Sequence, residues 1–270
     1  RVSRNKAKFH NTSGNLAHYS EYSLKGLKAY GAFSVCAIPL FLGFLLPATQ
    51  LLVWALETWR EMMDERFFEI ARNSIVLGFS AALVSVIVAL FLGYGKRIIP
   101  EKMMIILVRI ASIGYALPGT VVAVGVIIPF AWFDRKIDSL MSSYFGISSG
   151  LILSGTIFAI MFAYVVRFLA VSLQTVESGL EKIKPSMDDA ARSLGYRPRE
   201  ALMKVHIPLL KSSSLTALMI VFVDVMKELP ATLILRPFDF NTLAVRTFEL
   251  ASDERLADSS TSALAIVLAG

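Results

Sequence analysis

Asp224, Lys227 and Glu228 are the only charged residues in the apolar run Leu215–Leu235. On a helix they fall at i, i+3 and i+4, which puts all three on one face. A charge at membrane depth costs roughly 2.5–3.5 kcal/mol on insertion scales, so such residues mark a substrate route or a gate unless they only neutralise one another. Lys227 can reach back to Asp224, which supports mere pairing; Glu228 is then left in excess, which supports a route or gate. Pro230 has no amide hydrogen and disturbs the helix behind it, freeing the carbonyl of Met226. Arg109 is the one charge of a second apolar run, Met103–Phe133. It either pairs with the cluster from a neighbouring span or snorkels to the boundary. In the same run Tyr115, Pro118, Gly119 and Thr120 mark either a proline kink or a true interruption, and freed backbone at that depth is tolerated only where it is buried or lines water.

Catalytic chemistry finds no support. The string Gly93–Arg97 has Leu90 where a phosphate loop needs its first glycine and Arg97 where it needs Ser or Thr. His-Glu-x-x-His and Gly-x-Ser-x-Gly strings are absent. One Cys excludes an intrachain disulfide, and three dispersed histidines, His10, His18 and His206, exclude a Cys/His zinc framework. We expect no catalytic residue, no metal cage and no resident cofactor.

The elements that hold these residues are helices of membrane-spanning length. Hydrophobic residues make up 55% of the chain and charged ones 18%, against about 25% charged in soluble domains. Tyr30–Leu56, Ser74–Tyr94 and Ile147–Val166 contain no Asp, Glu, Lys or Arg, and about 20 such residues cross a hydrocarbon core as a helix. With the two runs above they make five spans, and a sixth apolar run begins near Ser262. The fold class expected is all-α, a polytopic helical membrane protein.

A net charge of +6 raises nucleic acid as a partner, but the distribution answers otherwise. The alternate connecting segments 1–29, 95–102 and 167–214 hold 17 of the 27 Lys and Arg. By the positive-inside rule these face the cytoplasm, so membrane lipids and not nucleic acid account for the basic balance. The first apolar run lies behind a polar stretch, which argues against a signal peptide. The chain starts at Arg1, so residues 1–29 read as a cytoplasmic linker or tail of a longer protein. Residues 30–72 then give a first span and an extracytoplasmic loop, and the apolar run at the end of the chain is too short to span.

The longest polar stretch, 177–211, is too long to be structureless in a compact domain. Ser186 and Asp189 match a capping box, predicting a helix from about Met187. Met187, Ala190, Ala191 and Leu194 then form one apolar stripe, and Gly195 stands where a helix ends in a left-handed residue. Pro198 suits the start of a second short helix, with Ala201, Leu202 and Val205 on its apolar side and Pro208 as its stop. Helices this short need a surface to dock on, either their own membrane domain or a groove in a partner.

The string DDAARSLGYRPREALMKVHIPLL (188–210) resembles the EAA loop of ABC-importer permeases. Asp189, Ala190, Ala191, Gly195, Val205, Ile207 and Pro208 keep its spacing, with Asp for Glu, Val for Ile and Ile for Leu. YALPGTVVAVG, KELPATLILRPF and NTLAVRTFELASDERLAD are similar to the iron(III) branch of that family, whose members are often double-length. Thiamine, putrescine and phosphonate permeases share the architecture.

The resemblance implies a type 1 membrane domain over 73–270, in the bacterial inner membrane, moving substrate by alternating access. It implies a cytoplasmic ATP-binding subunit docked on the loop, an extracytoplasmic substrate-binding protein, and a second permease domain in the same chain or a homodimer. His206, inside the motif, reads as a groove contact. If iron is carried, Asp224 and Glu228 would line a transient polar route, near which the resemblance also places the Glu-Leu-Pro stretch. A carrier or channel without an ATPase, or a noncatalytic scaffold, would not require the cytoplasmic helix pair.

Overall fold

The computed structural model describes residues 23–99 and 101–270. Residues 1–22 of the expected linker, with His10 and His18, lie outside them. Two compact units divide the chain at Pro47/Ala48. The first carries α1 (Leu27–Leu40) and a π-turn at Phe41–Leu45, and α2 (Leu46–Met62) begins at the boundary. The second holds α3 (Glu65–Ile98), α4 (Lys102–Ala111), α5 (Gly119–Phe145), α6 (Ile157–Glu181) and the short α7 (Pro185–Ser193), α8 (Pro198–Ala201) and α9 (Ile207–Leu209). It continues with α10 (Lys211–Met226), α11 (Pro230–Leu235), α12 (Leu243–Ser252) and α13 (Leu256–Ala269). The described residues form helices and no strands, as the expected fold class requires.

The centre of the second unit is α3, α6 and α10. Along α3 the buried face reads Gly78, Ala81, Ala82, Ser85, Ala89 and Gly93, small residues that let neighbouring helices approach closely. Leu77, Ala159, Ile160, Ala163, Tyr164, Val221 and Val225 fill the middle of the core. Leu169, Leu173, Val176, Leu180 and Leu210 fill the end nearest α7. Outward faces carry Phe79, Ile87, Phe91, Phe158 and Met219, all exposed, as lipid contact demands. Residues Leu27–Met62, Glu65–Ile98 and Ile157–Glu181 are each long and apolar enough to cross a membrane.

Asp64 sets the start of α3, its Oδ1 accepting from the Phe67 amide at 2.7 Å, while Lys96 and Arg97 occupy the last turn; both placements favour the helix dipole. Arg246 reaches the same carboxylate at 3.3 Å and the Met62 carbonyl at 3.0 Å, tying α12 to this turn. Desolvation raises the Asp64 pKa, but the Phe67 hydrogen bond and the Arg246 charge outweigh it and hold the carboxyl below its ordinary value.

Two expectations need correction. Residues 147–156 are not helical, and the fourth span is α6, displaced to Ile157–Glu181. Gly146, Gly150 and Gly155 take positive φ there, and buried Asp134 accepts the amides of Ile152 (3.2 Å), Leu153 (2.9 Å) and Ser154 (2.8 Å). One turn along, Asp138 accepts from the amides of Ser149 and Gly150 at 2.8 and 3.2 Å. Backbone donors are thus satisfied by carboxylates where a helix would have satisfied them internally. The displacement moves Arg167 from a loop into the interior of α6.

The second correction concerns Pro208, which does not end its helix. Helical turns run from Pro198 to Leu209, with a π-turn at Leu202–His206, and the chain then bends by 73° into α10. Between α4 and α5 the bend is 117°. That is far too sharp for a proline kink, so 103–133 is interrupted, and its two helices reach the length and hydropathy of a span only when taken together.

Candidate functional site

Two sites emerge, one inside the helix bundle and one at the end of it. The inner one is built at the break between α10 and α11. Because α10 ends at Met226 and Pro230 opens α11, Lys227 and Glu228 sit beyond the helix and diverge. Lys227 turns back to Asp224 at 2.9 Å, as its spacing predicts. Glu228, 6% exposed, points the other way, and its Oε1 lies 3.4 Å from Nη1 of Arg167. Glu228 is therefore not in excess. Its partner is Arg167, which the displaced α6 supplies, and not Arg109, which is exposed on α4 and forms no ion pair with Asp224 or Glu228.

At 3.4 Å and an effective dielectric near 20, the gross attraction is about 5 kcal/mol; desolvation of two charges offsets much of it. Nε and Nη1 of Arg167 make no hydrogen bond, while the Ala231 amide donates to Glu228 Oε1 at 3.3 Å. Thr232 donates its hydroxyl to the Glu228 carbonyl at 2.6 Å, so the buried Tyr164 hydroxyl, 2.5 Å from Thr232 Oγ1, must be the donor of that pair.

Gly119 closes the site from the start of α5. A Cβ there would lie 2.5 Å from Glu228 Oε1 and closer still to Arg167 Nη1. Any larger residue would have to displace one or both ends of the pair from their present positions. Gly114 likewise presses its backbone on the Val166 carbonyl, so the interruption between α4 and α5 is packed against α6. Pro118 precedes α5 as its N-cap, and Tyr115, half exposed, has its ring 6.3 Å from that of Phe168.

The outer site is the loop between α6 and α10. Pro185, not Met187, opens α7, with Lys184 as N-cap and no side-chain cap from Ser186; proline at the first helical position suffices. Gly195 takes φ +79°, the left-handed turn expected. The Arg197 amide donates to Glu200 at 2.9 Å and starts the second helix. The predicted stripe divides. Ala191 is buried, whereas Met187, Asp189, Ala190 and Leu194 are exposed, Leu194 at 73%. On the second helix Met203 is also exposed, at 60%, and Val205 and Ile207 are half-buried beside exposed Pro208.

His206 is fully buried, with Nε2 2.7 Å from Asp188 Oδ1; it is no groove contact. Beneath the loop, Asp188 Oδ2 also accepts from Arg97 Nε and Nη2 at 2.9 and 2.7 Å. Arg97 and Asp188 were not marked by the sequence pattern, because nothing local pairs residues this far apart. Among the described residues no group of three or more His, Cys, Asp or Glu could hold a metal ion.

An all-helical unit with broken spans and an exposed two-helix loop at the EAA spacing is the architecture the resemblance implied. Residues 85–269 match the family described as binding-protein-dependent transport system inner membrane component. The chain belongs to that family. It is 28% identical over 202 residues to the Fe(3+)-transport system permease protein FbpB 2 of Haemophilus influenzae, covering 75% of this chain but 37% of that relative's length. It is 25% identical over 261 residues to a protein of Salmonella typhimurium named as a 2-aminoethylphosphonate transport system permease, PhnV, covering 92% of this chain and 91% of the relative.

Among solved structures, a bacterial ABC transporter involved in importing the acidic polysaccharide alginate has a chain of the same fold. The TM-score is 0.67 at 12% identity, covering 89% of this chain and 90% of that one. A second structure of an alginate transporter, in complex with its pentasaccharide-bound periplasmic protein, gives a TM-score of 0.66 at 12% identity. The Arg167–Glu228 pair and the 182–210 loop both fall within the matched residues 85–269.

Proposed function

We propose that this ABC-importer permease passes iron(III) across the inner membrane by alternating access, driven by a separate cytoplasmic ATPase. The observation that carries the reading is the exposure of the apolar residues Met187, Ala190, Leu194 and Met203 on two short helices that a half-buried ionic base, Arg97 with Asp188, holds to the bundle. Apolar residues so exposed need a groove, and a partner's groove is the occupant that uses their exposure. Asp189, Ala190, Ala191, Gly195, Val205, Ile207 and Pro208 would form the coupling element. Asp224, Lys227, Glu228, Pro230, Arg109, Tyr115, Pro118 and Gly119 would lie at or beside the route, with Arg167 joining them. A substrate-binding protein would deliver cargo on the opposite face, and a second permease domain, in the same longer chain or as a homodimer, would complete the pore.

Iron(III) is favoured by the identity to the Fe(3+) permease and by the strings at 115–125, 227–238 and 241–258. A second reading, 2-aminoethylphosphonate, is favoured by end-to-end similarity to PhnV and by Arg167, whose two nitrogens without hydrogen bonds beside Glu228 suit a zwitterion. Uptake by vesicles reconstituted with permease, ATPase and binding protein separates them. ATP-dependent accumulation of radioactive iron, with none of the phosphonate, is the expected result; the converse selects the second reading, and uptake without ATP removes both.

A further inference from the structure

Beneath the 182–210 loop lies a polar hub that neither its exposed apolar residues nor the Arg167–Glu228 pair uses. The two oxygens of Asp188 serve two different elements: Oδ2 accepts from Arg97 Nε and Nη2, and Oδ1 meets His206 Nε2 at 2.7 Å. A carboxylate only accepts, so His206 carries its hydrogen on Nε2; its Nδ1 has no partner. Arg97, in the last turn of α3, also donates Nη1 to the Leu180 carbonyl at 2.6 Å and Nη2 to the Ile183 carbonyl at 2.8 Å. The first carbonyl belongs to the last turn of α6 and the second lies just beyond its C-terminus. Tyr94 packs its ring 4.9 Å from that of His206 and donates its hydroxyl to the Pro198 carbonyl at 2.9 Å. Lys96 pairs with Glu177 of α6 at 2.7 Å.

The loop is joined by chain to α6 and α10, but to α3 only by noncovalent contact. Both of its halves, Asp188 on α7 and Pro198 with His206 on the second helix, are fastened to one turn of α3, Tyr94 to Arg97. We infer that Asp188, Arg97, His206 and Tyr94 are positioning residues that make α3 move with the coupling loop, so that a displacement of the loop reaches three central helices at once. The inference rests on the reading of this loop as the element an ATPase drives. Four hydrogen bonds from one guanidinium, two to the same carboxylate oxygen and two to carbonyls, fix orientation as well as distance, which a rigid-body transmission requires.

The test uses the full permease assembled with its ATPase. In a Cys36→Ser background, spin labels at Phe91→Cys on α3 and Ser193→Cys on α7 report their separation with and without a non-hydrolysable ATP analogue. The expected distance is the same in both states, and Asp188→Asn makes it depend on nucleotide. Uptake per ATP hydrolysed falls about tenfold in Asp188→Asn and about fivefold in Tyr94→Phe, as loss of a charge-assisted and a neutral hydrogen bond respectively implies. Tyr94→Phe keeps the ring and decides the matter alone where Asp188→Asn does not assemble. Wild-type uptake per ATP together with a nucleotide-invariant distance in the assembling variants overturns the hub. Failure of the unmodified chain to bind an ATPase overturns the coupling reading instead.

Discussion

The Arg167–Glu228 pair shows what a single charge does at the break of a membrane helix. Removing one partner leaves the other buried and unpaired, which is expected to lower stability by about 3–5 kcal/mol, toward the lower end because Arg167 retains some solvent contact. Thermal unfolding in detergent should therefore show Arg167→Gln and Glu228→Gln each well below wild type, with the double variant less affected than the sum of the two. Additive losses would mean the pair is not coupled. Gly119→Ala is a sharper probe, since its new Cβ would collide with both charged groups; overpacking of this kind costs about 1–3 kcal/mol, and the same unfolding assay checks it. The sequence carried half of this site. The spacing of 224, 227 and 228 implied one internal pair and one residue needing a further cation, yet the apolar run ending at Val166 put Arg167 in a loop. The glycines at 146, 150 and 155 were the signal that the run began as a loop and the span lay further on.

Among the elements, the 182–210 loop was the most legible because its punctuation is local. Gly195 and Pro198 fix a left-handed turn and the start of the second helix, whereas the Ser186–Asp189 cap expected for the first helix does not form and that helix starts two residues before Met187, at Pro185. Which side of the helices faces inward was not legible: Met187, Ala190, Ala191 and Leu194 share a stripe, but only Ala191 seats against the bundle, at 3% exposure, while the equally small Ala190 faces out. A Cβ at Gly195 would meet nothing within 4 Å, so any effect of substitution there comes from φ alone, about 1–2 kcal/mol for a left-handed non-glycine residue. Gly195→Val is expected to uncouple ATP hydrolysis from uptake, and Gly195→Asn, which tolerates that conformation, to do so less; equal and normal uptake per ATP in both would remove the turn from the mechanism. Leu194→Glu should abolish copurification of the ATPase while leaving the permease's unfolding temperature unchanged. At the other end of the bundle, Asp64→Ala removes the cap of α3 and should cost about 1 kcal/mol. Since the folded carboxyl is more acidic than the unfolded one, its contribution is complete above about pH 4 and is lost as pH falls through the lower folded value. The difference in unfolding midpoint between wild type and Asp64→Ala should accordingly shrink on acidification, and a difference that grew would contradict the assignment.

At the scale of the whole molecule, charge and contact give one topology by independent routes. The positive-inside count put 95–102 and the 182–210 loop on one side, and the structure joins those segments through Arg97 and Asp188. Residues 62–64 and 246, which the count put on the opposite side, meet through Arg246 and Asp64. Moving Arg167 into the bundle takes one basic residue from the cytoplasmic count without reversing it. Charge asymmetry has no access to which helix pairs with which, and so could not supply the packing of α3, α6 and α10; small-residue faces such as Gly78 to Gly93 supply that only once neighbours are known. The orientation itself is tested with a membrane-impermeant thiol reagent in a Cys36→Ser background. Ser193→Cys on α7 should be modified in inside-out vesicles and protected in right-side-out ones, and Ser252→Cys at the end of α12 should behave oppositely, both side chains being exposed. Modification of both from the same side would break the alternation of spans on which the placing of ATPase and binding protein at opposite faces depends.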